Sequence, residues 1–180
     1  MKFVTGELPG VVVIEPDVHQ DKRGYFFESF QGKKFKEAGL PERFVQDNVS
    51  RSSRGTLRGL HAQLRRPQGK LVRVLAGEIF DVAVGIRKKS STFGKWAGVT
   101  LSAENFKQIY VPPGFVHGFC VMSDSAVVEY KCTEFYDPVD EVTVIWNDPQ
   151  IKIAWPIKDP ILSDKDRAGR KFSELVNQPA

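Results

Sequence analysis

The amino-acid sequence predicts an all-β fold, a β-sandwich or barrel with a few short peripheral helices. Three observations support this prediction. Short segments rich in β-branched and aromatic residues recur along the chain, many of them alternate apolar and polar residues, and turn-forming residues separate them at short spacing. With 180 residues the chain can bury a full hydrophobic core, so we expect one domain over residues 1–180.

The first third of the chain combines extended segments with polar turns and one helix. Extended segments are predicted at Val11–Ile14, Tyr25–Phe30 and Phe44–Ser50. A polar turn is predicted over Asp17–Gly24, and a loop over Ser52–Gly55. A short helix is predicted over Lys33–Ala38, because Gly39 supplies a stop signal.

Strand signals dominate the remainder of the chain up to a polar tail. Strands are predicted at Leu57–Gln63, Leu71–Ala76, Ile79–Ile86, Trp96–Leu101, Lys107–Val111, Val116–Met122, Ala126–Thr133 and Val142–Trp146. The pair Gly77-Glu78 indicates a hairpin-like turn, and a short helix is predicted near Lys171–Val176. Alternation places Asp81 on one strand face with Ile79 and Ala83, so a lone carboxylate is expected among apolar neighbours.

Composition limits the classes of partner. The net charge of +4 is only mildly basic, the basic residues are dispersed, and no RNA-binding motif of aromatic residues and glycines accompanies them. We therefore expect an anionic small molecule and no nucleic acid. The longest early apolar run, Val11–Ile14, lies between Pro9 and Pro16 and is too short for a signal peptide or a membrane span, so no membrane association is expected. Cys120 and Cys132 lack metal-ligand spacing, which favours a reduced, cytoplasmic protein.

The stretch Thr56–Lys70 concentrates the residues that could carry chemistry. His61 is the strongest candidate for proton transfer, because imidazole titrates closest to neutral pH. Arg58 offers a planar group suited to phosphate, and Lys70 a charge that could stabilise an oxyanion. Taken singly, each also fits a half-buried histidine or a solvated surface charge. Their clustering makes a functional site equally plausible.

Three further residues remain ambiguous from their surroundings alone. In Tyr110–His117, two prolines and a glycine define a turn that places His117 at the start of an apolar strand, where it could serve a site or the core. Tyr130 suits core packing with a bonded hydroxyl. Asp166 lies in a run of charged residues and carries no catalytic signal of its own.

Several motifs, taken together, resemble the dTDP-4-dehydrorhamnose 3,5-epimerase family. They are Asp21–Glu28, Gln46–Asn48, Arg58–His61, Gln68–Arg73, Gly77–Val84, Pro112–Phe119, Glu129–Thr133 and Trp146–Asp148, in that order. The resemblance extends from about Gly10 to Asp166. It implies a cupin jelly roll with the site inside the barrel, and a homodimer.

The resemblance also implies that no metal or other cofactor is used. Many cupins bind a metal through a His-x-His pair, a following glutamate and a later histidine. This chain keeps His61 and His117, but Gln63 stands at the second histidine and Lys70 at the glutamate. A cation at a ligand position would repel a divalent metal, and two ligands are too few to hold it.

The family inverts stereocentres next to the 4-keto group of dTDP-4-dehydro-6-deoxy-D-glucose. By resemblance, His61 is the base, Asp166 orients it, Lys70 stabilises the enolate oxygen and Tyr130 is the acid on the opposite face of the sugar. The resemblance assigns substrate contacts to Arg23, Phe26, Glu28, Gln46, Asp47, Asn48, Arg58, Asp81, His117, Tyr136, Glu141 and Lys165.

Two residues depart from the family pattern, namely Ala62, where an aromatic residue is usual, and Gly85, where an aspartate is common. They leave room for altered substrate placement. The leading hypothesis is therefore a 3,5-epimerase of rhamnose synthesis, with a C3-only epimerase as the nearest alternative. A sugar-binding cupin without catalysis and a metal-dependent cupin oxygenase are more distant alternatives.

Overall fold

Antiparallel strands dominate the computed structural model, which describes residues 1–6 and 8–176. The strands are β1 (Lys2–Thr5), β2 (Val12–Glu15), β3 (His19–Asp21), β4 (Gly24–Phe26), β5 (Gln46–Ser53), β6 (Leu57–Gln63), β7 (Lys70–Ala76), β8 (Glu78–Gly85), β9 (Trp96–Ser102), β10 (Gln108–Val111), β11 (Phe115–Val121), β12 (Ser125–Cys132) and β13 (Glu141–Thr143). The helices are α1 (Gly32–Glu37), α2 (Asp164–Arg167) and α3 (Phe172–Val176). The predicted all-β class with short peripheral helices is confirmed.

Two sheets face each other and enclose the core. One sheet has the order β1-β2-β10-β7-β12-β5 and the other the order β13-β6-β11-β8-β9, while β3 and β4 form a separate hairpin. The main hydrophobic cluster draws on both sheets, with Val72 and Val128 from the first and Ile79 and Phe119 from the second. Burial of these apolar surfaces is the dominant favourable contribution to folding of a sandwich.

Strand β8 shows how alternation in the sequence becomes a two-sided strand. Ile79 and Ala83 pack in the cluster between the sheets, whereas Val82 and Val84 pack in a second cluster on the outer face with Phe172 of α3. The sequence prediction of the two faces is confirmed, and α3 packs on the outer face together with Ile151 and Trp155.

The predicted hairpin at Gly77-Glu78 is wrong. Strands β7 and β8 belong to different sheets, so the chain passes here from one layer of the sandwich to the other. Gly77 has a φ of +79°, and a Cβ at this position would lie 2.1 Å from the carbonyl oxygen of Ser125. The glycine is therefore needed for a crossing between layers, a role that local sequence does not distinguish from a hairpin turn.

Other element boundaries also differ from prediction. Strand β1 was not predicted, the turn over 17–24 contains β3, and the strand over 25–30 ends at Phe26. Ser52 and Ser53 belong to β5, β13 ends at Thr143, and α2 falls in the charged run around Asp166. Strands β1 and β3 have only four and three residues and pair with the strands next to them in sequence, so alternation gives little signal there. Among the described residues, no helix is both long and apolar enough to cross a membrane.

Candidate active site

A cavity of about 330 Å³ opens between the two sheets. Polar and titratable side chains dominate its wall. The lining residues are Gln46, Asn48, Ser50, Arg58, His61, Gln68, Lys70, His117, Phe119, Tyr130, Cys132, Tyr136, Glu141, Ser163, Lys165 and Asp166. All four residues with predicted catalytic roles are among them.

His61 and Asp166 form a hydrogen-bonded pair. His61 lies on β6, Asp166 lies on α2, and the distance from Nε2 to Oδ1 is 2.5 Å. Ser163 caps α2 and donates its hydroxyl to Oδ2 of Asp166 at 2.8 Å, so both carboxylate oxygens are engaged. Because Nε2 faces the carboxylate, Nδ1 is the nitrogen left to accept a proton from a ligand.

The charge of Asp166 is supported by these contacts. Its side chain is almost fully buried, and burial alone would raise the pKa of the carboxyl group. The hydrogen bonds from His61 and Ser163 outweigh that effect and lower the pKa. Asp166 therefore remains an anion that can orient the imidazole and stabilise its protonated form.

A second histidine–aspartate pair lies beside the first. His117 on β11 is the direct cross-strand neighbour of His61, and its Nε2 lies 2.9 Å from both carboxylate oxygens of Asp81 on β8. Asp81 is fully buried and does not line the cavity itself. The lone carboxylate predicted on β8 thus supports His117, and a direct substrate contact by Asp81 does not fit this position.

Lys70 and Tyr130 occupy the opposite wall. Both belong to the other sheet, on β7 and β12, and the Lys70 ammonium lies 5.9 Å from the centre of the Tyr130 ring. Burial lowers the pKa of Lys70 and raises the pKa of Tyr130. Tyr130 therefore keeps its phenolic proton at neutral pH, as a proton donor requires.

Strand β5 supplies a polar strip along the cavity. Gln46, Asn48 and Ser50 line it, whereas Asp47 points to the other side and pairs with Lys131 at 2.8 Å. Asp47 was predicted as a substrate contact, and the alternation of the strand turns its side chain away from the cavity. Ser50 was missed, although the same alternation, applied to Gln46 and Asn48, would have identified it.

Arg58 enters the cavity from β6 with a fixed orientation. Its Nε donates to Oγ of Ser52 at 2.9 Å, which leaves the terminal amino groups of the guanidinium for an anion. The hydroxyl of Ser52 thus serves as the anchor for the cation.

Charged and aromatic side chains meet at the mouth of the cavity. Glu141 accepts hydrogen bonds from Lys165 at 2.5 Å and from the hydroxyl of Tyr136 at 3.1 Å. Burial would raise the pKa of Glu141, but the bond from Lys165 and the proximity of His61 lower it. All three residues were predicted as substrate contacts, and the structure brings them together.

Three predicted contacts lie outside the cavity. Arg23 and Phe26 belong to the exposed β3–β4 hairpin, where Arg23 pairs with Asp21. Glu28 pairs with Lys34 at 2.8 Å. Within one chain none of these three residues lines the cavity.

Asp166 was predicted only through the family resemblance, because the residues around it carry no catalytic signal. Asp166 lies 105 positions from His61, and only the fold brings them together. Ser163 was not predicted at all. The sequence does contain a signal for Ser163. The spacing Ser163-x-x-Asp166 is typical of a helix N-cap, whose hydroxyl accepts the backbone N–H of the residue three positions later and can bond to its side chain.

Gln63 stands at a metal-ligand position of other cupins, and Ala62 and Gly85 depart from the family pattern. The structure shows what surrounds each of them. The Gln63 amide is bonded to backbone groups and does not line the cavity. No group of three His, Cys, Asp or Glu side chains is arranged to hold a metal within the described part of the chain. Ala62 packs in the outer cluster, and a Cβ at Gly85 would lie 2.3 Å from the Thr92 carbonyl oxygen. Neither departure touches the cavity wall.

The rim beside the cavity depends on one buried carboxylate, Asp140. Its oxygens accept the backbone N–H groups of Leu64, Arg65 and Arg66 at 2.7–3.2 Å. Burial opposes the charge, but these backbone bonds outweigh it and lower the pKa of Asp140. A carboxyl group with a lowered folded-state pKa stabilises the protein above about pH 4, and the contribution disappears as the pH falls through the folded-state value.

Asp140→Asn is therefore expected to reduce the free energy of unfolding at pH 7 by about 1–3 kcal/mol. The difference from the wild type should be smaller at pH 3, because the carboxyl group of the unfolded chain is already largely protonated there and part of the benefit of the lowered folded-state pKa is lost. Denaturant unfolding at the two pH values measures this, with Asp159→Asn at an exposed position as the control. An equal deficit at both pH values would contradict the charge-based explanation.

The fold and site together define a class of protein. A β-sandwich cavity with a His–Asp pair on one wall and a lysine and a tyrosine on the other is arranged for proton transfer at a bound small molecule. Residues 5–174 match the family described as dTDP-4-dehydrorhamnose 3,5-epimerase. The chain belongs to this family, an isomerase family with the cupin jelly-roll fold.

Known proteins of similar sequence and structure support the assignment of the chain to this family. The chain is 55% identical to the dTDP-4-dehydrorhamnose 3,5-epimerase of Shigella flexneri, over 96% of each chain. A crystal structure of the Legionella pneumophila epimerase in complex with dTDP-4-keto-L-rhamnose matches with a TM-score of 0.93 and 48% identity, covering 99% of this chain and 98% of that one. A 3'-monoepimerase from Streptomyces bikiniensis in complex with dTDP-quinovose matches with a TM-score of 0.87 and 35% identity, covering 93% and 86%.

Proposed function

We propose that this protein inverts C3 and C5 of dTDP-4-dehydro-6-deoxy-D-glucose and yields dTDP-4-dehydro-L-rhamnose, for rhamnose synthesis. The observation that carries the proposal is the placement of His61 and Tyr130 on opposite sheets, with the cavity between them. Inversion requires a proton to leave one face of the sugar and another to arrive on the opposite face. A base and an acid on facing walls meet this requirement.

The reaction begins with removal of a proton next to the ketone. The 4-keto group acidifies the hydrogens at C3 and C5, and Nδ1 of His61 accepts one of them. The electron pair of the broken C–H bond moves into the ring and onto the ketone oxygen, giving an enolate. Asp166, held by Ser163, stabilises the imidazolium that forms.

Lys70 stabilises the enolate oxygen. Its ammonium lies on the wall that also holds Tyr130, and the side chain is half-buried. A positive charge in such a site interacts more strongly with a developing oxyanion than it would in bulk solvent. Tyr130 then donates its phenolic proton to the carbon from the face opposite His61. The enolate collapses to the ketone with the inverted configuration.

Other side chains of the cavity bind the nucleotide part of the substrate. Arg58 suits the diphosphate, because its terminal amino groups face the cavity while Ser52 holds Nε. Lys165 and Tyr136 stand at the mouth, where a flat base could rest against the tyrosine ring. Gln46, Asn48, His117 and Glu141 surround the sugar between these ends.

Proton NMR of the substrate incubated with the protein in heavy water tests the proposal. Deuterium at both C3 and C5 is the expected result. Deuterium at C3 alone would identify a C3-only epimerase, the activity named for the Streptomyces bikiniensis neighbour. No exchange at either carbon would leave a binding role. The two sequence departures do not favour the C3-only alternative, since neither touches the cavity wall.

We further propose that the reaction uses no metal and that the protein is a cytoplasmic homodimer. A cation, Lys70, and an amide, Gln63, stand where metal-dependent cupins place ligands; stoichiometric iron or zinc in purified protein would overturn this.

Exposed Tyr25 and Phe26 on the β3–β4 hairpin supply an apolar surface for a second copy, which could also bring Arg23 to the partner's cavity. Light scattering should give twice the chain mass of 20.3 kDa.

A further inference from the structure

The segment from Glu134 to Asp140 forms part of the cavity mouth and carries Tyr136. The Tyr136 side chain is 48% exposed, yet it lines the cavity and donates its hydroxyl to Glu141. A half-exposed aromatic ring on a segment outside the sheets needs backbone support to keep one orientation. The structure shows where that support comes from.

The buried side chain of Gln63 holds the residues on both sides of Tyr136. Its Nε2 donates to the carbonyl oxygen of Phe135 at 3.2 Å and to that of Arg66 at 2.8 Å. Its Oε1 accepts the backbone N–H of Asp137 at 2.9 Å. Gln46 adds a further bond to the segment, because its Oε1 accepts the N–H of Tyr136 itself at 2.8 Å.

An amide suits this position for a chemical reason. The site presents two carbonyl oxygens and one N–H group, so it needs a side chain with two donors and one acceptor. An imidazole offers only one donor when neutral, and a carboxylate would repel both carbonyl oxygens. Gln63 is 4% exposed, so any of these groups left unpaired would carry a desolvation cost.

We propose that Gln63 is a positioning residue for nucleotide binding, which sets the orientation of Tyr136 at the cavity mouth. Gln63 lies two residues after His61 on β6, so one strand carries the base and fixes the rim against which the nucleotide rests. The inference rests on the proposed function in one respect, because it takes the ligand at the mouth to be the dTDP group.

The test measures dTDP affinity together with the steady-state constants. Gln63→Met keeps the length of the side chain and removes all three bonds to the rim. We expect the Kd for dTDP and the KM for the nucleotide sugar to rise together by about 10-fold, the scale of one lost ligand contact. The kcat for exchange should change by less than about 3-fold, because His61 and Tyr130 are untouched.

The matched control is Gln108→Met. Gln108 is also buried and donates to a backbone carbonyl, that of Ser29 at 2.8 Å, but it does not line the cavity. Its loss should lower the melting temperature and leave dTDP affinity unchanged. If Gln63→Met does not fold, Gln63→Asn serves instead, because the shorter amide cannot reach both sides of Tyr136.

A double-mutant cycle with Tyr136→Ala separates positioning from general destabilisation. If Gln63 acts through Tyr136, the double variant should bind dTDP no more weakly than Tyr136→Ala alone. Additive losses, or unchanged affinity in the Gln63 variants, would overturn the inference while the proposed function stands. Failure of the wild type to bind dTDP would overturn both. If the wild type binds dTDP but does not exchange the substrate hydrogens, only the proposed epimerase activity would be refuted.

Discussion

His61→Asn is expected to abolish hydrogen exchange at C3 and C5 while dTDP binding is retained. The change removes the nitrogen that takes the proton and keeps a polar side chain of similar size, so the cavity wall should survive. Loss of a general base costs typically 10²–10⁴-fold, and we expect a loss of about 10³-fold. Deuterium incorporation by NMR measures the rate, and calorimetry with dTDP measures binding.

The position of the imidazole makes this the largest expected effect. His61 is the residue that Asp166 orients at 2.5 Å, and Asp166 is in turn held by Ser163. Without the imidazole, the Asp166 carboxylate has no ring to orient. His19→Asn, at an exposed position on β3, is the matched control and should exchange at the wild-type rate. Turnover by the His61 variant would refute the assignment of the base.

Tyr130→Phe is expected to separate exchange from inversion. The variant keeps the ring and loses the phenolic proton, so His61 can still remove a proton and return one from the same face. Substrate hydrogen should therefore wash out in heavy water, while the yield of inverted product falls by about 10²-fold or more. NMR reads both quantities in one sample, since inversion changes the ring couplings.

Burial of Tyr130 supports this division of roles. Because burial raises the pKa of its hydroxyl, Tyr130 carries its proton through the neutral range and can act as the acid. Tyr110→Phe is the matched control: Tyr110 is buried, its pKa is raised by burial to about 12, and it lies outside the cavity wall. Equal loss of exchange and inversion in the Tyr130 variant would count against the assigned role.

The sequence predicted the architecture well where alternation was strong. Strands β6 to β12 were predicted at nearly their observed positions, and the two faces of β8 were correct. It failed where an element depends on a distant partner. Gly77 has the local signature of a hairpin, yet the strands that flank it join different sheets, because their hydrogen-bond partners lie elsewhere in the chain.

The residues of the site were also predicted only in part. From the residues alone, His61, Arg58 and Lys70 formed a cluster, but Asp166 carried no weight until the family resemblance supplied it. The resemblance also assigned contacts to Arg23, Phe26 and Glu28, which one chain keeps away from the cavity. Asp47 and Asp81 do not line the cavity either: alternation turns Asp47 outward on β5, and Asp81 is buried on β8, where it bonds to His117.

The sequence by itself determined the fold class, the order of the main strands and the chemical groups available for proton transfer, because alternation and residue type are local properties. Only the tertiary structure decided which groups meet. The pairing of two sheets placed His61 opposite Tyr130 and Lys70, brought Asp166 across 105 positions to His61, and joined Gln63 to both neighbours of Tyr136. Such contacts depend on which strands pair with each other, and the observed pairing is the one that minimises the free energy of the whole chain.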